Sequence, residues 1–287
     1  MKITSDWHIH TRNSCDEACI SVSTLVARAA QRGITDFGIS DHLHTPFNRP
    51  DIAASRKEYL ENNPGPRFHF GIEISCVSRW EIDQIVAGKN QDKNPVYGIR
   101  QGGPPGEPLA IALSQQDIDE LGIEYVVGGT HWPMYVPFER EAIIREFHRQ
   151  NMFLATHSLV TIVAHPWWWH NHWQDPDGGY RTEPWLDDFR KIPQSMHDEL
   201  AAAAIQHRKV VEINMEGILL NAGYPEAFKR QYLNYLAGLK SRRVPLCIGS
   251  DTHDDTYHAD FEQLSRMLDS VGITEPDLWM LPPRKQV

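Results

Sequence analysis

Cysteine is sparse in this sequence and unpaired in pattern. Its four cysteines, Cys15, Cys19, Cys76 and Cys247, form no Cys-x-x-Cys pair and no dense framework, so disulfides are not required, and Cys76 and Cys247 read as packing residues. Basic charge is in deficit as well. Against 38 Asp and Glu there are 28 Lys and Arg, a net charge of −10, whereas a general nucleic-acid surface needs a basic footprint. No run is long and apolar enough to span a membrane, no GxxxxGK[ST] loop is present to cradle phosphate, and there is no fixed-length repeat or low-complexity tail. Only Met1 to Trp7 precede the first candidate ligand at His8, leaving no room for a signal peptide before structure must start. A reducing cytoplasm is the expected setting.

What is present is a series of short apolar or β-rich runs that stop at a histidine or carboxylate. They end in Asp6-Trp7-His8-Ile9-His10, Ser40-Asp41-His42, Glu73, Gly129-Thr130-His131, Ala164-His165-Pro166, Glu212-Ile213-Asn214 and Ser250-Asp251-Thr252-His253. Residues i and i+2 of a strand share a face, so His8 and His10 can converge on one ion, and Asp251 and His253 repeat the spacing. Helical patterns separate the runs, near Leu25 to Gln31, Ile52 to Glu61, Gln115 to Leu121, Arg140 to His157, Gln194 to His207, Glu226 to Leu239 and Asp260 to Val271. Ser21 or Ser23 caps the first, and Gly33 ends it. This alternation implies an α/β fold of parallel strands with helical crossovers, closed into a barrel so that many strand ends meet at one rim. At 287 residues with 41% apolar content, one domain spanning residues 1–287 is the simplest count.

Two segments break the rhythm. Trp80 to Pro108, with Gly102-Gly103-Pro104-Pro105-Gly106, reads as an excursion between the third and fourth strands, and Pro166 to Trp185 carries Trp167, Trp168, Trp169, Trp173 and Trp185 with Arg181. The tryptophans either roof the barrel or touch substrate, with Trp168 and Trp169 the candidates for contact. Arg181 is a candidate phosphate clamp, because a guanidinium grips phosphate oxygens bidentately, and Arg12 and Arg79 compete for that role. Asp41 reads as support for its neighbour His42, and Glu212 either as a partner for a ligand imidazole or as a strand end with Asn214 facing the pocket. His44, His69, His148, His157, His197, His207 and His258 read as surface or packing residues.

In order and placement, the motifs His8-Ile9-His10-Thr11, Ser40-Asp41-His42, Gly71-Ile72-Glu73, Gly129-Thr130-His131, Ala164-His165-Pro166 and Ser250-Asp251-Thr252-His253 resemble the polymerase and histidinol phosphatase (PHP) superfamily of metal-dependent phosphoesterases. The resemblance spans nearly the whole chain, which is much too short for a polymerase. It implies a distorted (β/α)7 barrel, similar to a TIM barrel, with metals at its carboxyl-terminal rim. It further implies a first metal on His8, His10, Glu73 and Asp251, a second on Glu73, His131 and His165, and a third on His42, His253 and Asp16. Glu73 would bridge the first two. At the Asp16 position the histidinol phosphatase type often has histidine, and Glu17 is the adjacent alternative.

Imidazole and carboxylate ligation without cysteine fits two or three divalent ions of zinc, manganese or iron. Three such ions against three carboxylates leave a surplus of positive charge that suits a phosphate dianion. The expected activity is hydrolysis of a small phosphomonoester by a metal-activated water, with Glu73 bridging and Asp251 or His253 managing protons. The alternatives are a nuclease or nucleotide phosphatase of the same superfamily, a carboxylic ester or amide hydrolase, and a non-catalytic metal-binding module.

Overall fold

The strands of this fold are short, two to eight residues each. In the computed structural model, which describes residues 1–89, 97–99, 102–169 and 185–284, they are β1 (Ser5–Asp6), β2 (Asp36–Ile39), β3 (His42–Leu43), β4 (Phe68–Ser75), β5 (Val77–Ser78), β6 (Leu109–Ala110), β7 (Tyr125–Gly129), β8 (Ile162–Val163), β9 (Val210–Asn214) and β10 (Leu246–Gly249). The α-helices are α1 (Val22–Arg32), α2 (Arg49–Glu61), α3 (Arg79–Val86), α4 (Gln115–Leu121), α5 (Arg140–Thr156), α6 (Gln194–Gln206), α7 (Glu226–Ser241) and α8 (Phe261–Ser270). All seven helices expected between strands are present. Ser21, not Ser23, caps α1 by accepting from the Thr24 amide, and Gly33 ends it at φ 73°, a left-handed conformation that suits glycine.

Seven parallel strands run in the order β1-β2-β4-β7-β8-β9-β10. The two ends of the sheet meet through Trp7 N–H to Ile248 O (2.9 Å), Asp251 N–H to His8 O (2.7 Å) and the Ile9 and Thr252 bridge. The (β/α)7 barrel expected from the motifs is therefore what the chain forms. β3 extends the β2 segment past Ser40 and Asp41 and pairs with β4, placing His42 beside Glu73. The excursion after β4 holds a feature not anticipated from sequence. β5 and β6 pair antiparallel, and α3 starts behind Ser78, whose hydroxyl accepts from the Glu81 amide.

β4 shows how the barrel interior is layered. His69, Gly71, Glu73 and Ser75 alternate along it and share one face. At the amino end, Trp7 packs edge-on against Tyr125 (5.7 Å between centroids) and Trp279 (5.5 Å), while His69 Nδ1 lies 2.7 Å from Glu124. Trp279 reaches there because its amide donates to Leu246 O, which straps the C-terminal segment under the barrel. Above that layer the Tyr125 ring lies over Gly38 and Gly71, where any Cβ would clash with it, and its hydroxyl donates to Ile39 O at 3.0 Å. Glu73 sits above this apolar plug. No helix among the described residues is long and apolar enough to cross a membrane.

Because the Tyr125 ring fills the space a side chain at position 71 would need, Gly71→Ala should lower stability by about 1–3 kcal/mol. Urea denaturation of the double-mutant cycle with Tyr125→Leu checks this. The two changes should be coupled by at least about 0.5 kcal/mol, and strict additivity would refute the contact.

Candidate metal centre

The strand ends deliver nine donors to one place. His8 and His10 follow β1, His42 lies in β3, Glu73 in β4, His131 follows β7, His165 follows β8, Asp251 and His253 follow β10, and Asp16 comes from the loop before α1. Their donor atoms fall into four overlapping groups, each within 4.8 Å: His8, Glu73 and His165; His8, His10 and Asp251; His42, Glu73 and His131; and His10, Asp16, His42 and His253. Thus His10 also faces the Asp16 group and His42 also faces Glu73, a more interlocked arrangement than three separate ligand sets.

Glu73 is fully buried at the centre. Its Oε1 lies 3.0 Å from His165 Nε2 and 3.1 Å from His131 Nε2, and its Oε2 lies 3.1 Å from His8 Nε2, 3.4 Å from His10 Nε2 and 2.9 Å from His42 Nδ1. One oxygen therefore serves each side. Asp251 Oδ1 stands 3.3 Å from His10 Nε2 and 3.5 Å from His8 Nε2. Asp16 Oδ2 lies 2.7 Å from His253 Nε2 and 3.0 Å from His42 Nε2. Glu17 is exposed at the cavity wall instead.

The donors fit divalent cations. Glu73 Oε2 and His42 Nδ1 are buried and 2.9 Å apart, yet neither makes a well-aligned hydrogen bond. Burying such groups unsatisfied is costly, and a cation removes the cost. Donors held about 2.0–2.2 Å from a tetrahedral ion stand about 3.3–3.6 Å apart, close to the spacings here.

Surrounding residues orient the donors. Glu212 Oε1 lies 2.6 Å from His8 Nδ1, turning Nε2 inward, while its Oε2 accepts from the His165 amide at 2.6 Å. Asn214 donates to both Glu212 Oε2 and Asp251 Oδ2. His253 Nδ1 faces Asp251 O at 2.8 Å, which leaves Nε2 for Asp16. Asp41 accepts from the Thr11 amide (2.6 Å), the Thr11 hydroxyl (2.7 Å) and the Ser55 hydroxyl (2.5 Å), holding the loop beneath His42. Gly129 leaves the room: a Cβ there would meet Glu73 Oε1 and His131 at 2.6 Å. Two of the metal-site residues, His165 (φ 26°) and Asp251 (φ 58°), hold positive backbone angles that non-glycine residues adopt at a cost.

Charge is distributed unevenly in the metal-free chain. Burial opposes a proton on His42, but the Glu73 and Asp16 carboxylates outweigh it and raise the ring to about 10. Burial likewise opposes charge on His8, where Glu212, Glu73 and Asp251 hold it well above the ordinary value. Burial and the neighbouring His42 and His253 push His10 down to about 3. Against burial, the imidazoles around Glu73 keep it well below the usual carboxylate range.

A cavity of about 500 Å3 opens above the donors, lined by Asp16, Glu17, His42, His44, Glu73, Tyr97, His131, Trp132, His165, Trp168, Asp251 and His253. Of the expected substrate contacts among the described residues, only Trp168 is on its wall, its ring 5.3 Å from His165. Trp169 is a core residue instead. Trp167, Trp169 and Trp185 are buried and pack on one another, because the chain turns after His165, with Trp168 N–H donating to His165 O at 2.9 Å and Trp167 at φ 71°. Arg12 does not reach the cavity, because its side chain, 59% exposed, pairs with Glu58 at 3.1 Å. Arg79 is exposed at the start of α3 and is absent from the wall. Arg181 and Trp173 lie outside the described residues. His44, read from sequence as a surface or packing residue, is buried and lines the cavity; its i+2 spacing from His42 was the signal.

No protein-family profile matches the chain. Two curated relatives do, over 98% of this chain and 91% of their own length: the "Probable phosphatase YcdX" of Escherichia coli O127:H6, 24% identical, and the "Probable phosphatase Ent638_1550" of Enterobacter sp. (strain 638), 23% identical. Among solved structures, the histidinol phosphate phosphatase of Lactococcus lactis, complexed with zinc, L-histidinol and phosphate, covers 94% of both chains with a TM-score of 0.57 and 15% identity. The barrel and its motif order are those that the PHP resemblance implies, and the chain is similar in sequence to these two curated probable phosphatases and in fold to this histidinol phosphate phosphatase.

A ring with a value near 10 carries a proton at neutral pH, and an imidazole nitrogen bound to a cation does not. Zinc loading at pH 7 should therefore release at least one proton per chain, and zinc affinity should weaken as pH falls. Calorimetry in buffers of different ionisation enthalpy measures the release; none at all would contradict the charge distribution described.

Proposed function

We propose that the chain is a metal-dependent hydrolase of small phosphomonoesters, working as one unit over residues 1–287. The observation that carries this is the fully buried Glu73 carboxylate, which meets five imidazoles with one oxygen left unpaired by hydrogen bonds. The names of the two bacterial relatives and the phosphate in the Lactococcus lactis complex support the phosphoester reading. Zinc in that complex supports zinc here, with manganese and iron compatible with the same donors.

We assign His8, His10, Glu73 and Asp251 to one ion, Glu73, His131 and His165 to a second, and Asp16, His42 and His253 to a third. When bound, such ions supply an acidified water as nucleophile and polarise the phosphoryl oxygens. The protein's part is to hold these donors rigidly and to handle protons. Asp251, whose Oδ2 is fixed by Asn214, sits beside the central donors, and His253 stands at the cavity mouth, 38% exposed, where it can exchange a proton with solvent. Six imidazoles and three carboxylates leave the loaded site positive overall, which draws a dianion despite the chain's net charge of −10. Trp168, Trp132 and Tyr97 form an aromatic wall for the rest of the substrate. The free cysteines are consistent with a cytoplasmic setting.

Zinc-reconstituted protein should hydrolyse phosphomonoesters in preference to phosphodiesters, carboxylic esters and amides, and chelation should abolish turnover. Asp251→Asn should lower kcat by about 10^2–10^4-fold. A screen in which only carboxylic esters or amides turn over, or nothing does with metal bound, would overturn the assignment.

A further inference from the structure

Ser75 ends the inward face of β4 between two imidazoles. Its hydroxyl oxygen lies 2.7 Å from His131 Nδ1 and 2.5 Å from His44 Nδ1. A hydroxyl carries one proton, so it can donate to only one of these nitrogens and must accept from the other. Which way the chain of bonds runs follows from the far side of His131. Its Nε2 faces Glu73 Oε1 at 3.1 Å, on the metal side, and a nitrogen that takes a cation leaves the ring's proton on Nδ1. His131 Nδ1–H then donates to Ser75, Ser75 donates to His44 Nδ1, and the His44 proton is confined to Nε2.

That nitrogen is free to act. His44 belongs to none of the donor groups that could hold an ion, and its Nε2 has no protein hydrogen bond and reaches the cavity surface. The ring is only 3% exposed, stacked on His42 at 4.2 Å and flanked by Tyr97 and Trp132, so it cannot swing away. Among the described residues on the cavity wall there is no lysine or arginine. A neutral N–H is therefore a donor this wall can offer to a phosphoryl oxygen.

We propose that His44 contacts the substrate directly, donating Nε2–H to an oxygen of the phosphoryl group, and that Ser75 is the positioning residue that fixes its tautomer. The inference rests on the phosphoesterase reading and adds a residue to it. Nitrogen-15 NMR of the zinc-loaded full chain should show His44 protonated at Nε2. In Ser75→Ala that tautomer should lose its definition, a change that mere loosening of packing would not produce. By calorimetry, His44→Leu should weaken binding of inorganic phosphate about tenfold with zinc content unchanged. His44→Gln, whose amide nitrogen reaches about where Nε2 stands, should restore most of it. A His44 protonated at Nδ1, zinc loss in His44→Leu, or phosphate affinity equal to wild type in both variants would each overturn the proposal alone. A zinc-loaded wild type that neither binds phosphate nor hydrolyses any phosphomonoester would overturn the phosphoesterase reading, and this inference with it.

Discussion

A carboxylate buried on the axis of a barrel must be compensated by charge or it cannot stay ionised. Glu73 is surrounded by nitrogens of His8, His10, His42, His131 and His165. Imidazoles alone are a poor answer, because those that protonate to satisfy Glu73 repel one another, as the opposite shifts of His42 and His10 reflect. Cations answer both demands, neutralising the carboxylate and using the imidazoles as neutral ligands. Much of the surrounding structure follows from that constraint: Gly129 yields space to the carboxylate, Glu212 and Asn214 orient His8 and Asp251, and Asp251 and His165 hold strained backbone to reach the centre.

The rest of the barrel insulates this centre. Trp7, Tyr125 and Trp279 pack together at the amino end, while the described cavity opens on the donors at the carboxyl end, where a low-dielectric floor strengthens electrostatic interactions. The period-2 rule links the two halves. The face of β4 that offers Gly71 to the plug offers Glu73 to the donor cluster and Ser75 to the imidazoles above, so packing and the candidate site share one strand register.

Much of this was legible in the sequence because the histidines and carboxylates at strand ends obey that same period. His8-x-His10 and Asp251-x-His253 announce a shared face, and strand and helix alternation announces the barrel. What stayed hidden depended on partners distant in sequence. The pairing of Arg12 with Glu58 joins residues remote in the chain, and sequence cannot tell which tryptophan of 167–169 faces the cavity until the segment's phase is known. Asp16 was reached through family resemblance, since a loop residue carries no period. By contrast, α3 and His44 were readable: Ser78-x-x-Glu81 is a helix-start pattern, and His42-x-His44 repeats the spacing already used for His8 and His10.

The central claim is that Glu73 serves two ions at once. Elemental analysis of zinc-reconstituted Glu73→Gln, beside wild type, tests it most directly. The account predicts that two ions are lost together while the Asp16, His42 and His253 group keeps its own. Loss of a single ion, or retention of the full complement, would contradict the bridge on which the reading depends.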